Sequence, residues 1–312
     1  MEDQMTEIGV LCVSWNLLNA WMPGTAVCRT AAERAPRAAA WLADRAPDFI
    51  CLQEFDYYYR HDTAFLSALG DAYTEAKGSG ELPGGSWNPI LYRSDRWREE
   101  AAGRWDFTAN GFTAVDTKND RRETYPAHAC NESSCYAYPE GSPEAAKPGS
   151  RFRSLSWVLL NGSPCGYGGR LLVANTHLSL RPWCQTEEAD FIHAKLTALS
   201  KIYACPVLLC GDFNSGIAAG GAKRLTELGF RDTHDLAAAR DDRASCHPSS
   251  GKGEKQERDE MPAPYYPYAI DHVFLFDPTA RVRAEEYRIV AEERLLSVSD
   301  HCPTVLRFKI NS

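Results

Sequence analysis

The chain has 312 residues, 44% hydrophobic and 24% charged, which suits a globular protein with a large core and excludes a disordered or fibrous one. Its net charge of −8 lacks the basic footprint of a tight, sequence-independent nucleic-acid binder, so any polynucleotide would have to be held locally. Eleven cysteines are an odd number in a chain of this size, and Cys12, Cys51 and Cys210 lie inside apolar runs, so most are expected to be reduced, buried thiols.

Met1 to Glu7 is acidic and polar, and the apolar run behind it is too short for a signal anchor or a membrane span, so a soluble intracellular protein is expected. Ile8 to Trp15 reads as a strand that runs into Asn16. An Ala-rich helix follows at Arg37 to Arg45; Pro36 fits only a first helical turn, which predicts a start near Ala35. Phe49 to Leu52 is a strand ending in Gln53 and Glu54, and Asp62 to Leu69 a helix candidate.

Phe112 to Arg151 mixes Asn, Glu, Ser, Pro and Gly and is expected to be an exposed loop. Within it Cys130, Cys135 and His128 suggest a metal clip or a disulfide, although no second close pair completes a zinc pattern. Leu171 to Ala174 runs into Asn175 and His177. A helix over Glu187 to Tyr203 places Phe191, Leu196, Leu199 and Ile202 on one packing face.

Val207 to Cys210 leads to Asp212 and Asn214, and Ala222 to Leu228 is helical. His247 to Pro267, with its charged run, is a second exposed loop. Ala269 to Phe276 contains Asp271, and Ser299-Asp300-His301 precedes the strand Thr304 to Phe308. Strands and helices alternate without an internal repeat, which predicts one α/β domain over 8–309 with insertions near 112–151 and 247–267.

Nearly every apolar run ends in a residue of catalytic type, so the strands are expected to deliver these groups to a common rim. Hydrolysis of a phosphate ester needs a hard cation, a group that orients or deprotonates water, and stabilisation of the leaving oxygen. Glu54 is the first choice of Mg²⁺ ligand, since that ion takes oxygen donors and one or two carboxylates suffice. Alone it reads more readily as a helix-capping or surface glutamate.

In Gly211-Asp212-Phe213-Asn214 the glycine permits a sharp turn that presents Asp212 to water and Asn214 to a phosphoryl oxygen; an Asx turn is the plain alternative. Asp271 is the natural carboxylate to orient His301, which can then act as a general base or a cationic phosphate partner. His272 alternates to the opposite face and reads as structural. His177 supplies a second imidazole for a non-bridging oxygen, or is simply a hydrogen-bonded histidine at a strand end.

Taken in order, Ser14-Trp15-Asn16, Leu52-Gln53-Glu54, Thr176-His177-Leu178, Gly211-Asp212-Phe213-Asn214, Ile270-Asp271-His272 and Ser299-Asp300-His301 resemble the motif set of the endonuclease/exonuclease/phosphatase superfamily, over residues 8–309. The resemblance implies a four-layer α/β sandwich, two packed mixed β-sheets flanked by helices, with the site at one rim. It implies metal roles for Glu54, Asn16 and Asp300, and activation of the nucleophile by Asp212 beside a phosphate-binding Asn214. Asp271 and His301 match the paired carboxylate and imidazole, and His177 the transition-state histidine. The implied cofactor is Mg²⁺, with Mn²⁺ as a substitute.

The stretches Trp15 to Ala20 and Leu52 to Tyr59 look most like the nocturnin and poly(A) deadenylase branch, which implies a nucleic-acid 3′ end or a nucleotide as substrate. Tyr57 to Tyr59 suit either base stacking or core packing. Lys118, Arg121, Arg122, Arg151, Arg153 and Arg181 are candidate phosphate contacts and equally ordinary surface charges. A repair-type deoxyribonuclease, an inositol-phosphate or sphingomyelin-type hydrolase and a non-enzymatic scaffold are the alternatives.

Overall fold

In a computed structural model, which describes residues 7–20, 30–79, 88–108, 111–116, 121–124, 153–180, 182–246 and 269–311, the apolar runs become strands of two stacked sheets. The first part of the chain forms β1 (Glu7–Asn16), α1 (Ala31–Arg45), β2 (Phe49–Gln53), α2 (Tyr57–His61), α3 (Phe65–Leu69), β3 (Tyr73–Glu75) and β4 (Ile90–Arg93). Then come β5 (Arg98–Thr108), β6 (Gly111–Asp116), β7 (Arg121–Thr124), β8 (Arg153–Asn161), β9 (Arg170–His177), α4 (Pro182–Tyr203), β10 (Val207–Asp212) and α5 (Gly220–Glu227). The last part forms β11 (Arg231–Asp232), α6 (Thr233–Leu236), β12 (Ala239–Arg240), β13 (Asp271–Phe276), β14 (Val282–Ile289), α7 (Glu293–Leu296) and β15 (Thr304–Asn311).

Among the described residues one sheet has seven strands in the order β12-β14-β15-β1-β2-β4-β3, and the other eight in the order β11-β13-β10-β9-β8-β5-β6-β7. Both are mixed: β1 pairs parallel with β2 and antiparallel with β15, and β10 parallel with β9 and antiparallel with β13.

Side-chain alternation assigns the layers. On β1, Val10 and Cys12 face the second sheet while Val13 and Trp15 face outward; on β10, Leu208 and Cys210 face inward while Val207 and Leu209 face outward. The inward set makes the core between the sheets. Helices α1, α2 and α3 cover the outer face of the first sheet, and α4 and α5 that of the second. This is the four-layer sandwich expected from the sequence.

Several elements depart from expectation. Helix α1 begins at Ala31, behind a Thr30/Glu33 capping box, so Pro36 lies inside it. An interior proline costs about 3 kcal/mol. Burial of Trp41 and Leu42 contributes roughly 1.5–3 kcal/mol each, with Ala35, Ala38 and Ala39 on the same face, so packing outweighs the break.

Of the helix expected at Asp62 to Leu69 only Phe65–Leu69 forms, as α3, and the short α2 precedes the expected range. On α4 the buried apolar residues are Ala189, Ile192 and Leu196, with Phe191 and Leu199 partly covered, whereas Ile202 is 70% exposed and off the packing face. The start of the loop expected at 112–151 extends the second sheet as β6 and β7. The Cys130, Cys135 and His128 group lies outside the described residues, as does most of the 247–267 loop.

Gly211 plays a different part from the turn expected of it. It lies within β10, opposite Thr176, and a Cβ there would stand 2.4 Å from the Thr176 carbonyl oxygen and 2.9 Å from its Cγ2. The glycine permits close strand approach, and the left-handed turn falls at Asn214 (φ 49°). Gly211→Ala is therefore expected to lower stability by about 1–3 kcal/mol, the scale of overpacking, measured as a fall in the urea midpoint at unchanged slope.

Candidate active site

The inward-facing residues of the central strands change from apolar to polar at one end of the sandwich. Cys12, Ser14 and Asn16 succeed one another on β1, Cys51 and Gln53 on β2, Val173, Asn175 and His177 on β9, and Cys210 and Asp212 on β10. A buried amide layer comes first: Gln53 Nε2 donates to Ser14 Oγ (3.1 Å) and Asn175 Oδ1 (2.7 Å). Asn175 Nδ2 in turn donates to the Leu52 and Pro89 carbonyls. The two sheets are thus joined directly beneath the rim.

Above this layer, register aligns three groups. Asp212 is the Cα partner of His177 on one side and of Asp271 on the other, so His177, Asp212 and Asp271 form one rung across the sheet. From the other sheet Asn16 Nδ2 donates to Glu54 Oε1 (3.1 Å) and Asp212 Oδ2 (3.0 Å). Its Oδ1 accepts from Leu18 N. Asn16 therefore bridges two carboxylates, and its own oxygen is engaged by the backbone.

Glu54 lies just past β2 with φ 56°, and its Oε2 accepts from Asn19 N at 2.7 Å. Leu18 also has φ 56°. Such conformations cost roughly 1–3 kcal/mol each outside glycine and persist only where neighbours enforce them. The enforcement is visible: buried Arg34 Nη1 donates to the Leu17 and Leu18 carbonyls at 2.8 Å, and Tyr59 Oη to the Leu17 carbonyl at 2.8 Å.

The Asx turn is present as well: Asp212 Oδ1 accepts from Asn214 N at 2.9 Å. It fixes the aspartate and leaves Oδ2 toward Asn16, with His177 Nε2 at 3.2 Å and His301 Nε2 at 3.8 Å. The Asx turn thus orients the same carboxylate that the functional reading needs. Asn214 Nδ2 donates to the Leu178 carbonyl at 2.9 Å.

His301 Nδ1 and Asp271 Oδ2 are 2.8 Å apart, both buried, which is the orienting pair expected from the sequence. Trp15 Nε1 donates to the His301 carbonyl, and Ser299 Oγ donates to the Asn16 carbonyl and accepts from His301 N. Asp300 is half-buried beside Ser299. His272 faces the other way, between Asp232 Oδ2 (3.0 Å) and the Ser215 carbonyl (3.1 Å), in the structural role expected.

The two site imidazoles differ in charge. Burial, together with the Arg153 and His301 charges, holds His177 well below its usual range, so it is neutral near pH 7. Burial opposes a charge on His301 too, but the Asp271 and Asp212 carboxylates outweigh it and raise its pKa well above the usual value. Asp212 is pushed up to about 6 by burial and then by the Asp271 charge. With Nε2–H turned to Asp212, His177 presents a bare Nδ1, and neither that atom nor Asp271 Oδ1 has a hydrogen-bond partner among the described residues.

A resident divalent cation fits this donor set. Asp212, Asp271 and His301 converge within 4.8 Å, but His301 is held by Asp271, and a hard cation prefers oxygen. The Glu54 carboxylate and the unpartnered Asp271 oxygen are the donors suited to it.

Sequence reasoning did not identify Ser245. Its hydroxyl donates to Asp271 Oδ2 at 2.7 Å and accepts from Ile270 N and Asp271 N, while its carbonyl accepts from Cys302 N. It ties the Asp271 strand to the His301 segment. A lone serine between irregular stretches carries no periodic signal that would mark it. Tyr59 is fully buried against Phe55 and Phe65, which excludes it as a stacking platform; the side chains of Tyr57 and Tyr58 lie outside the described residues.

The sequence matches the Endonuclease/Exonuclease/phosphatase family over residues 13–301. The chain belongs to that family. Its members hydrolyse phosphoester bonds, and it is a metal-dependent phosphoric ester hydrolase of this kind. No curated protein matches it by sequence.

Among solved structures it resembles a mannosyl-6-phosphatase from Bacteroides thetaiotaomicron VPI-5482 (18% identity, 96% of this chain and 99% of that one, TM-score 0.69). It also resembles the human nocturnin catalytic domain with bound sulfate (14%, 99% and 98%, 0.60). A third is TDP2 from D. rerio complexed with a single-strand DNA product (16%, 96% and 98%, 0.60). At these identities the likeness establishes the shared fold. No helix among the described residues is long and apolar enough to cross a membrane.

Two positioning contacts are testable. Ser245→Ala is expected to lower kcat by about 10-fold or more with little change in KM, since it removes a hydrogen bond to a charged group worth about 1.5–3 kcal/mol without touching substrate. Glu188, buried on α4, accepts from Ser179 N and is hydrogen-bonded to Ser179 Oγ, two residues beyond His177. Burial raises its carboxyl from 4.5 to about 7, against the pull of the Ser179 bonds. A raised folded pKa gives stability that is complete below the unfolded pKa and is lost as pH rises through the folded one. Urea titrations from pH 4.5 to 8 should show the parent losing roughly 2–3 kcal/mol relative to Glu188→Gln.

Proposed function

We propose that the chain is a Mg²⁺-dependent hydrolase of small phosphomonoesters, with a nucleotide or sugar phosphate as substrate. The observation that carries the chemistry is the buried rung of His177, Asp212 and Asp271, completed by His301 and facing Glu54 through Asn16. A hard cation bound there would neutralise charge on the phosphoryl oxygens and assist the leaving oxygen.

Glu54 and the unpartnered Asp271 oxygen would hold that cation, with Asn16 bridging Glu54 to Asp212 beside it. Asp212, ionised above about pH 6, accepts the proton of the attacking water. The carboxyl is fixed in place by Asn214 N and Asn16 Nδ2, so little reorganisation accompanies the transfer. His301, kept cationic by Asp271, faces the developing negative charge, and neutral His177 adds a polar contact to a non-bridging oxygen. Asn214 lines the same side and contacts the phosphoryl group.

Two observations support a small substrate. The acidic chain offers no broad attraction to a polyanion, and Tyr59 is withdrawn into the core rather than available to stack on a base. The bacterial sugar phosphatase aligns at a higher TM-score than nocturnin. The second reading, removal of nucleotides from an RNA 3′ end, draws on the likeness to the nocturnin catalytic domain and on the motifs around Asn16 and Glu54.

A Mg²⁺-supplemented panel of nucleoside phosphates, mannose 6-phosphate, inositol phosphates and labelled oligo(A) separates these readings. Phosphate release from nucleoside or sugar phosphates with oligo(A) intact is expected, and Asp212→Asn should reduce it by about 10²-fold or more. Shortening of oligo(A) at a kcat/KM equal to or above that for the monoesters would replace the proposal with the nuclease reading.

A further inference from the structure

Beneath the amide layer of the active site the inward positions of β1, β2 and β10 are Cys12, Cys51 and Cys210, three strands drawn from both sheets. All three are fully buried, and their sulfurs lie within 4.8 Å of one another, with Cys12 Sγ 3.6 Å from Cys210 Sγ. Among the described residues no other set of cysteines converges in this way.

The spacing has a chemical meaning. A central atom bonded to three sulfurs at about 2.3 Å, the length of a zinc–thiolate bond, holds them roughly 3.5–4 Å apart. The Cys12–Cys210 separation already matches a three-sulfur ligand set, and the other two lie within 4.8 Å.

Charge decides which central atom suits it. The thiols belong to a dry core that includes Val10, Phe49, Val173 and Leu208. Burial raises the Cys51 thiol well above its ordinary range, and Cys12 and Cys210 are raised with it in the mutually bonded trio. A monovalent or divalent metal held by three thiolates would leave net negative charge in that core, which is strongly disfavoured without a partner. A trivalent centre held by three thiolates is neutral.

We propose that Cys12, Cys51 and Cys210 form a preformed binding site for trivalent arsenic, taken up from arsenous acid. The step is a condensation. Each S–H proton leaves with one hydroxyl of As(OH)₃, three As–S bonds replace three As–O bonds, and three waters depart. Arsenic stays trivalent, so no oxidant or reductant is needed, and the product carries no charge. The bound atom joins β1 and β2 to β10, directly under Ser14, Gln53 and Asp212. Because the thiols are buried, uptake by the folded protein requires local opening of the sandwich and is slow; refolding in the presence of arsenite bypasses that barrier.

The test uses the full chain refolded from urea with arsenite and then desalted. Native mass spectrometry is expected to show one arsenic gained and three hydrogens lost, X-ray absorption three sulfur neighbours and no oxygen, and thermal unfolding a raised midpoint. Cys51→Ala and Cys210→Val should each lose the arsenic, while the double variant Cys130→Ala/Cys135→Ala keeps it. Retention of arsenic by Cys51→Ala, a mixed sulfur and oxygen shell in the parent protein, or no arsenic after refolding would overturn the assignment. If a core variant fails to fold, mass mapping of proteolytic peptides from the loaded parent decides the matter: arsenic joining the peptides of Cys12, Cys51 and Cys210 is expected, and arsenic on any other cysteines overturns the assignment.

Discussion

The hydrogen bond from Gln53 to Asn175 is the contact on which the site depends, because it joins the two sheets at the height where their facing surfaces turn polar. Both amides are fully buried, and an unpaired buried amide costs about 1–3 kcal/mol, so the pairing strongly restricts how the sheets slide. Once that offset is set, strand register alone brings His177, Asp212 and Asp271 onto one rung and Asn16 opposite them. The apolar core below stabilises the sandwich without the directional preference of hydrogen bonds. The polar layer makes the geometry specific.

From that geometry two histidines acquire opposite character. His177 has no acidic partner strong enough to offset desolvation and remains neutral, while His301 faces two carboxylates and remains cationic. One buried cluster thereby holds a proton acceptor, a fixed positive charge and a neutral polar contact within a few ångströms. Supporting residues contribute through backbone geometry: Arg34 and Tyr59 hold the left-handed turn after Asn16, and Ser245 holds the Asp271 end of β13.

Much of this was legible in the sequence. Ile8 to Trp15, Leu171 to Ala174 and Val207 to Cys210 each announced a strand, and the polar residue at the end of each proved to lie at the shared rim. Elements were misread where local rules and tertiary packing compete. Pro36 argued for a later helix start, yet the capping box and the buried face of α1 extend the helix through it. Ile202 fitted the helical period but falls at the solvent end of α4, and Gly211 looked like a turn residue although close strand approach requires it.

Residue identity and order by themselves determined the family, the α/β class and which polar residues gather at the rim, because motif chemistry and period-2 alternation are local properties of the chain. Only the tertiary structure decided which groups touch, which imidazole is charged, and that Ser245, Glu188 and the three core thiols have partners far away in sequence. The reason is physical: desolvation and Coulomb energies depend on distances set by the offset between two sheets. Strands such as β1 and β10 supply facing residues nearly two hundred positions apart, and no local pattern encodes that offset.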